Sequence, residues 1–137
     1  MPTGSCLCQT VKYEYDVEPA LKAVCHCLTC RKLSSGSSAN VLIPDNHFRI
    51  TSGSPKTYSM IHESGMHLTT HFCENCGSLL YKTGDREEFK GSVIVLAGTL
   101  DRAEDFEKAK PDAELFAKHR VGWWPRLDFA SQMNNFD

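Results

Sequence analysis

The sequence predicts a mainly β fold with few short helices, and three observations support this prediction. Short apolar or alternating runs rich in β-branched and aromatic residues recur along the chain, helix signals are weak, and the cysteines cluster between the predicted strands. The 137 residues are enough for one ordinary domain. Because no repeat, low-complexity tract or shift in composition divides the chain, we expect a single domain over residues 1–137.

Eight strands are predicted in order along the chain. The first alternates, with Val11, Tyr13 and Tyr15 on one face, and the run SVIVLA is the clearest buried strand. Turn-forming residues such as Pro44 and the segment SGSP separate neighbouring strands. The predicted strands cover residues 10–15, 39–43, 48–51, 56–60, 67–73, 79–82, 92–97 and 114–118.

Only two helices are predicted, and both are short. The run LTCRKL at residues 28–33 can form a helical turn that ends near Gly36. The run DRAEDFEKA can form a second helix that begins at Asp101 and stops before Pro111.

Composition and charge narrow the possible classes of function. The formal net charge is -2, so there is no basic excess to attract nucleic acid or an anionic membrane. The N-terminal segment has no apolar stretch flanked by positive charge, and the longest apolar run, residues 93–97, is far too short to span a bilayer. We therefore expect a cytoplasmic protein with no nucleic-acid partner and no membrane partner.

The chain contains seven cysteines, and they fall into three tight groups. An odd number cannot all form disulfides, and thiols stay reduced in the cytosol. Buried cysteines that act only as small apolar side chains have no reason to adopt such spacing. The grouping therefore indicates metal ligation. The three groups are Cys6 and Cys8; Cys25, Cys27 and Cys30; and Cys73 and Cys76.

Counting the ligands divides the cysteines into a set of four and a set of three. The segment FCENCG is a zinc knuckle, in which Gly77 relieves crowding as backbone amides turn towards the thiolates. If Cys6 and Cys8 lie on a strand, their side chains share one face and can bind the same ion as the knuckle. That closed set of four is typical of a structural site. The remaining three, Cys25, Cys27 and Cys30, match the three-ligand pattern of a catalytic zinc with one open position.

An alternative division gives two closed sites, with a histidine as the fourth ligand of the second. The candidates are His26, His71 and His119. On an extended backbone His26 would point away from the cysteines on either side of it, and His71 suits a packing or supporting role better. Zinc suits an isolated set of thiolates better than an iron–sulfur cluster does, although iron remains the alternative.

The charge of the three-cysteine site favours a soft fourth ligand. Three thiolates around Zn²⁺ leave a net charge of about -1, which makes the ion a weaker Lewis acid than zinc held by neutral histidines. A substrate thiol suits such an ion better than water does. The residues therefore point towards thiol chemistry rather than simple hydrolysis.

Three motifs together resemble the glutathione-dependent formaldehyde-activating enzyme (GFA) family, also called the centromere protein V/GFA domain. They are GSCLC at residues 4–8, CHCLTCRKLSSGS at 25–37 and FCENCGSLLY at 72–81, and all seven cysteines fall within them. The resemblance implies a small zinc-bound β-sheet fold, similar to that of Rab GTPase accessory proteins.

The same resemblance implies two Zn²⁺ per chain. The expected structural zinc is held by Cys6, Cys8, Cys73 and Cys76, and the expected catalytic zinc by Cys25, Cys27 and Cys30. The implied activity is that of a carbon–sulfur lyase, which joins formaldehyde to glutathione or releases it from S-hydroxymethylglutathione. Glutathione is then the expected co-substrate, and the expected partner is a small molecule.

Five further residues are candidates for substrate binding. Arg31 could meet a carboxylate of glutathione, and Ser35 and Ser37 in the SSGSS segment could hold another. Arg120 and Trp123 lie in the stretch KHRVGWWPRLDF and resemble positions where relatives carry an arginine and an aromatic residue. The alternatives are a solvated turn for Arg31, a flexible loop for the serines and a C-terminal lid over the core for the last two.

Two other functions remain open at this point. A metalloenzyme of the same fold could carry out hydrolytic, imine or dehalogenating chemistry at the same metal. A non-catalytic, zinc-stapled binding module would instead have a closed second site and a surface for a macromolecular partner.

Overall fold

The computed structural model describes residues 1–137 and confirms a mainly β fold with few short helices. The helices are α1 (Leu28–Ser34) and α2 (Ala103–Lys108), with three 3₁₀ turns at Asp45–His47, Ala97–Thr99 and Ala117–His119. The strands are β1 (Thr3–Ser5), β2 (Lys12–Tyr15), β3 (Leu21–Cys25), β4 (Ser38–Pro44), β5 (Phe48–Ser52), β6 (Lys56–Ile61), β7 (His67–Phe72), β8 (Leu79–Gly84), β9 (Ser92–Leu96), β10 (Ala113–Leu115) and β11 (Ser131–Gln132). Neither helix has the length and apolarity needed to cross a bilayer.

The strands form two sheets. The small sheet has the order β1-β2-β5, and the large sheet has the order β11-β10-β3-β4-β9-β8-β7-β6. Most neighbours are antiparallel, but β10 runs parallel to both β3 and β11. The last strand of the chain is therefore brought to the edge of the large sheet, two strands away from β3.

The central core lies between the two sheets. Tyr13 and Tyr15 of the small sheet pack in one buried cluster with residues of the large sheet such as Val41, Ile43 and Val95. This burial follows from the alternation of each strand, since every second side chain points to the same face. Tyr13 also stacks on Phe48, with ring centroids 5.3 Å apart.

The opposite face of the large sheet carries a different set of side chains. Cys25 pairs with Ser38, Ala23 pairs with Asn40, and Lys82 pairs with Ile94, so these neighbours share that face. The chain covers this face with α1, the β6–β7 loop and the C-terminal segment. The functional candidates therefore lie on the face of the sheet away from the small sheet.

Several element predictions differ from the structure. The expectation that Cys6 and Cys8 lie on a strand is wrong, because both follow β1 in a turn in which Gln9 adopts a left-handed φ of 65°. The strand predicted at 114–118 ends at Leu115, because Phe116 is left-handed with a φ of 54°. Three strands were not predicted, namely β1, β3 and β11, and all three lack a clear alternation of apolar and polar residues.

Candidate metal centres

The first cluster brings together the sulfurs of four cysteines from two distant parts of the chain. All four Sγ atoms of Cys6, Cys8, Cys73 and Cys76 lie within 4.8 Å of one another. The Cys6–Cys8 and Cys8–Cys73 Sγ distances are 3.6 Å and 3.7 Å. A tetrahedron of sulfurs at the usual Zn–S distance has edges of about 3.8 Å. These separations fit one shared zinc and are far too long for a disulfide.

Hydrogen bonds favour the thiolate forms of two cysteines of this cluster, Cys76 and Cys8. Hydrogen bonds from the hydroxyl and backbone N–H of Ser78 lower the pKa of Cys76 to about 5. Hydrogen bonds from the Thr10 and Asn75 side chains lower the pKa of Cys8 to about 7. Gly77, with a φ of 80°, lets the knuckle turn back, and its N–H donates to the carbonyl of Cys73 at 2.8 Å. At Cys73 a backbone hydrogen bond from Cys76 is outweighed by desolvation and neighbouring thiols, which raise the pKa to about 11, so anionic sulfur is favoured at Cys76 and Cys8 in particular.

The second cluster contains three cysteines that are all buried. Cys25 is the last residue of β3, Cys27 is the N-cap of α1, and Cys30 lies within that helix. Their Sγ atoms lie within 4.8 Å of one another. The backbone N–H of Cys30 donates to Cys27 Sγ at 3.2 Å, so a metal-binding residue also caps the helix.

The third sulfur of this cluster faces a lysine and a serine. The hydroxyl of Ser38 donates to Cys30 Sγ at 3.1 Å, and Nζ of Lys82 lies 3.5 Å from the same atom. Hydrogen bonds from the Cys25 and Cys27 thiols, helped by Lys82 and Ser38, hold the pKa of Cys30 well below its usual value despite burial. Cys30 is therefore the member of the set that most readily carries a negative charge.

A cavity of about 40 Å³ adjoins the three cysteines. This volume is enough for a few water-sized groups. Its walls are mainly apolar, with Leu42, Leu68 and Phe136 among them. The polar side chains along it are those of Asn40, His62 and Lys82. The arrangement is a small apolar chamber with a few fixed polar groups, which is typical of a site for a small ligand.

His62 has an unusual hydrogen-bonding state. Its Nδ1 accepts from the backbone N–H of Ser64 at 3.1 Å, while its Nε2 is buried and has no partner. The Ser64 hydroxyl also lies 2.8 Å from Nδ1, and the neutral tautomer in which Nδ1 accepts from both Ser64 groups carries its proton on Nε2. The Oδ1 atom of Asn40 is likewise buried without a partner. Unpaired buried polar atoms are rare, and here both belong to residues that line the same cavity.

The three histidines considered as a fourth ligand all have other contacts. His26 Nε2 lies 2.7 Å from Glu114 Oε1, His119 Nε2 lies 2.8 Å from Glu63 Oε2, and His71 Nε2 lies 3.0 Å from Thr83 Oγ1. None belongs to a group of mutually close ligand atoms. His62 forms such a group with Cys27 and Glu63, but not with the other two cysteines.

The candidate substrate-binding residues lie mostly at the surface. Arg31 and Ser35 are exposed, Ser37 is half-buried, and Trp123 is 77% exposed. Arg120 is half-buried, and its Nη1 donates to Gln132 Oε1 at 2.6 Å and lies 3.6 Å from Glu114 Oε2. These contacts give Arg120 a place in the internal network around Glu114.

Sequence reasoning did not identify Lys82 and His62 as part of this site. Lys82 stands in the unremarkable run LLYKTG, and only the register of β8 against β9 places it on the cavity face. His62 lies in the loop between β6 and β7, which the fold carries over the three cysteines. The position of the histidine just before the turn-forming segment ESG was the one available signal.

The donor atoms of both clusters fit zinc. Among the abundant divalent ions, zinc is the one that binds thiolate ligands well. No oxygen-rich coordination set accompanies these sulfurs. The first cluster offers four donors and the second offers three, so the first can enclose an ion completely and the second cannot.

Comparisons with known proteins agree with this architecture. The model of a family described as glutathione-dependent formaldehyde-activating enzyme matches residues 1–119. A crystal structure of a Rhodobacter sphaeroides protein is similar in fold, with a TM-score of 0.55 and 20% sequence identity, covering 75% of this chain and 93% of that chain. No protein with a curated description matches the sequence.

Proposed function

The chain belongs to the glutathione-dependent formaldehyde-activating enzyme family, and from this premise we propose that it is a zinc-dependent carbon–sulfur lyase. The proposed substrate is a glutathione adduct such as S-hydroxymethylglutathione, or a related small electrophile. The proposed metal content is two Zn²⁺ per chain. We also propose that the chain acts as a single cytoplasmic domain on a small molecule. Its formal net charge of -2 supports the absence of a nucleic-acid or membrane partner.

One observation carries this proposal. Three buried cysteine sulfurs converge beside an apolar cavity, and no fourth protein ligand atom lies within 4.8 Å of all three. Closed sites with four ligands are structural, whereas three protein ligands with an open position are typical of catalytic zinc. The two clusters of this protein therefore support one role each.

The proposed reaction needs binding, fixed charge and a hydrogen-bond donor from the protein. Bound zinc supplies positive charge that favours the thiolate form of a substrate thiol at neutral pH. When the thiol adds across a carbonyl, a carbon–sulfur bond forms and the proton of the thiol ends on the oxygen. The reverse reaction breaks the same bond and releases aldehyde and thiol. Neither direction requires an oxidant or a reductant.

His62 is suited to bind the oxygen of the electrophile. Burial lowers the pKa of His62 and so favours the neutral ring, and in the tautomer that accepts from Ser64 at Nδ1 the proton is on Nε2. A neutral N–H donor in an apolar cavity stabilises the negative charge that develops on a carbonyl oxygen. The oxygen would in turn give this buried donor the partner that it lacks within the protein.

The two carboxylates of glutathione are too polar for the apolar cavity and would stay near the protein surface. Arg31 and Ser35 are exposed close to Cys30, and Ser37 is half-buried, which supports these three as contacts. Arg120 and Trp123 remain proposed contacts at the C-terminal side of the site.

The proposal is tested by following adduct formation from ¹³C-formaldehyde and glutathione by NMR with zinc-loaded protein. We expect adduct formation or breakdown to be faster than the spontaneous rate, and the acceleration to disappear in Cys27→Ser. A zinc-loaded protein that gives only the spontaneous rate would contradict the lyase proposal and favour hydrolytic, imine or dehalogenating chemistry. A fourth protein ligand on the second zinc would favour the binding module.

His62→Phe tests the role of the histidine in the same assay. Phenylalanine keeps most of the ring volume and removes the Nε2–H donor. We expect the accelerated rate to fall about a hundredfold, as for the loss of one oxyanion donor, while the zinc content stays at that of the unmodified protein. His67→Phe, at an exposed position in β7, is the matched control and should keep the full rate. Equal rates for His62→Phe and the unmodified protein would rule out the donor role.

A further inference from the structure

Lys82 is a charged side chain in an unusual place. It is only 4% exposed, and its Nζ makes a single hydrogen bond with a protein atom, to Cys30 Sγ at 3.5 Å. None of the ion pairs of the protein includes it, so no carboxylate lies within 4.0 Å of its ammonium group. Lysine is rarely buried this deeply without a partner of opposite charge.

The fold holds Lys82 in this position. It lies on β8 between Ile94 of β9 and Thr70 of β7, and all three face the cavity side of the large sheet. Burying an ammonium group costs several kcal/mol unless nearby negative charge offsets the loss of hydration. The negative charge within reach is that of the three-cysteine cluster, with Cys30 the nearest sulfur. The lysine is thus a counter-ion to the thiolates.

This contact changes the charge balance of the centre. Three thiolates and one divalent zinc carry a net charge of about -1, which would repel a further anion. The Lys82 ammonium brings the buried assembly to neutrality. Because electrostatic interactions are stronger in a buried site than in water, one added charge strongly alters which ligand binds next.

We propose that Lys82 makes the three-cysteine centre selective for an anionic fourth ligand, in particular a thiolate, over a neutral one. Lys82 acts through its charge and through the sulfur of Cys30, so it is a positioning residue in the zinc-loaded protein. The inference deepens the proposed function. Only one part of it, the identification of a thiolate as the natural ligand, rests on that proposed function.

The test measures ligand binding without any turnover. Protein loaded with Co²⁺ in place of zinc is titrated with thiocyanate, an anionic probe, and with imidazole, a neutral probe, and the visible d–d bands report binding. The closed four-cysteine site has no free position and should not respond. In Lys82→Met we expect the affinity for thiocyanate to fall about tenfold or more. The affinity for imidazole should change less than about twofold, because a neutral ligand gains little from the ammonium charge.

Lys56→Met is the matched control, because Lys56 lies on the same sheet in β6 and is exposed. It should leave both affinities unchanged. If Lys82→Met does not fold, Lys82→Gln removes the charge while keeping a polar side chain, one bond shorter than that of lysine. Equal losses for both probes would mean that Lys82 only shapes the site, and unchanged affinities would mean that its charge is irrelevant. Either result overturns the inference.

Failure of the inference can be told apart from failure of the proposed function. If Lys82→Met loses the preference for thiocyanate while the unmodified protein does not accelerate adduct formation, the inference stands and the lyase proposal falls. If adduct formation is accelerated but the ligand preference is the same in both proteins, the lyase proposal stands and the inference falls.

Discussion

Glu114 is a fully buried carboxylate that joins three separate parts of the chain. Its Oε1 accepts from His26 Nε2 at 2.7 Å, and its Oε2 accepts from the backbone N–H of Leu127 at 2.8 Å and from Gln132 Nε2 at 2.7 Å. His26 stands between two cysteines of the second cluster. Glu114 therefore fixes the loop that carries those sulfurs against the C-terminal segment.

Glu114→Gln should destabilise the zinc-loaded protein by about 2 kcal/mol. The amide has one acceptor oxygen instead of two and carries no charge, so the charge-assisted hydrogen bonds of the carboxylate are weakened. Chemical denaturation of the zinc-loaded protein measures the change. Glu87→Gln, at a side chain that is 85% exposed, is the control and should have almost no effect. A stability equal to that of the unmodified protein would contradict the proposed role of the network.

The pH dependence of stability should also reveal Glu114. Burial alone would raise the pKa of Glu114, but hydrogen bonds from Gln132, Leu127 and His26 outweigh it and hold the pKa below its ordinary value of 4.5. Its stabilisation is complete above pH 4.5 and is lost as the pH falls through the lowered folded-state pKa. The stability difference between the unmodified protein and Glu114→Gln should therefore be constant near neutrality and shrink in acid. A difference that grows in acid would reverse this expectation.

At the scale of single residues, the metal-ligand role of the cysteines could be predicted from the sequence, because their spacing alone indicates ligation. Lys82, His62 and Glu114 were not, because each is an ordinary polar residue until strand register and loop position bring it to the cavity. The prediction that His26 points away from the sulfurs agrees with its contact to Glu114.

At the scale of elements, β1 is held by an unusually close approach to β2. Gly4 pairs with Tyr13, and a Cβ at Gly4 would lie 2.1 Å from Tyr13 Cζ. The ring of Tyr13 is buried, and its hydroxyl lies 2.7 Å from Thr99 Oγ1, so it has no room to move. The turn that carries Cys6 follows β1 directly.

Gly4→Ala should therefore destabilise the protein by about 2 kcal/mol through overpacking. The melting temperature of the zinc-loaded protein measures this effect. Gly122→Ala is the control, because a Cβ at Gly122 meets no atom within 4 Å. If both variants melt at the same temperature, the ring of Tyr13 must be able to shift.

The predicted strands over residues 39–43, 48–51, 56–60, 79–82 and 92–97 correspond to observed strands within two residues at each end. Strands in alternating or β-rich segments can be predicted from sequence, because side chains along a strand point to alternate faces and the apolar residues repeat with the same two-residue period. The strand β3, with the sequence LKAVC, was missed because it is short and has Lys22 as its only polar residue, so it shows no regular alternation. Its neighbours β4 and β10 determine its place in the sheet.

At the scale of the whole molecule, the four-cysteine cluster joins the two sheets. Cys6 and Cys8 follow β1 of the small sheet, and Cys73 and Cys76 lie between β7 and β8 of the large sheet. A zinc bound there would link segments far apart in sequence. The three-cysteine cluster lies on the other face and makes no such link between sheets.

Cys76→Ser and Cys27→Ser should therefore differ in their effect on folding. Loss of the proposed structural zinc would remove a binding free energy of about 10 kcal/mol, so Cys76→Ser should unfold or melt far below the unmodified protein. Cys27→Ser should lose one zinc and stay folded, because serine is also a good helix N-cap. Zinc analysis combined with circular dichroism measures both. The assignment of roles fails if Cys27→Ser unfolds as completely as Cys76→Ser.

Counting seven cysteines was enough to predict their division into four and three, because tetrahedral coordination sets the size of a closed set. The order of strands in the large sheet was not predictable, because the long-range pairings of β10 with β3 and β11 leave no local mark in the sequence.

One residue of the cavity wall lies outside the segment that the family model matches. The cysteines all lie within the segment matched by the family model, residues 1–119, whereas Phe136, which lines the same cavity, lies beyond it. Phe136 packs edge-on against Phe116 with ring centroids 4.9 Å apart, so an exchange of this one residue would alter the size of the chamber. The volume beside the three cysteines is therefore set in part by the last residues of the chain, which contribute no metal-ligand candidate.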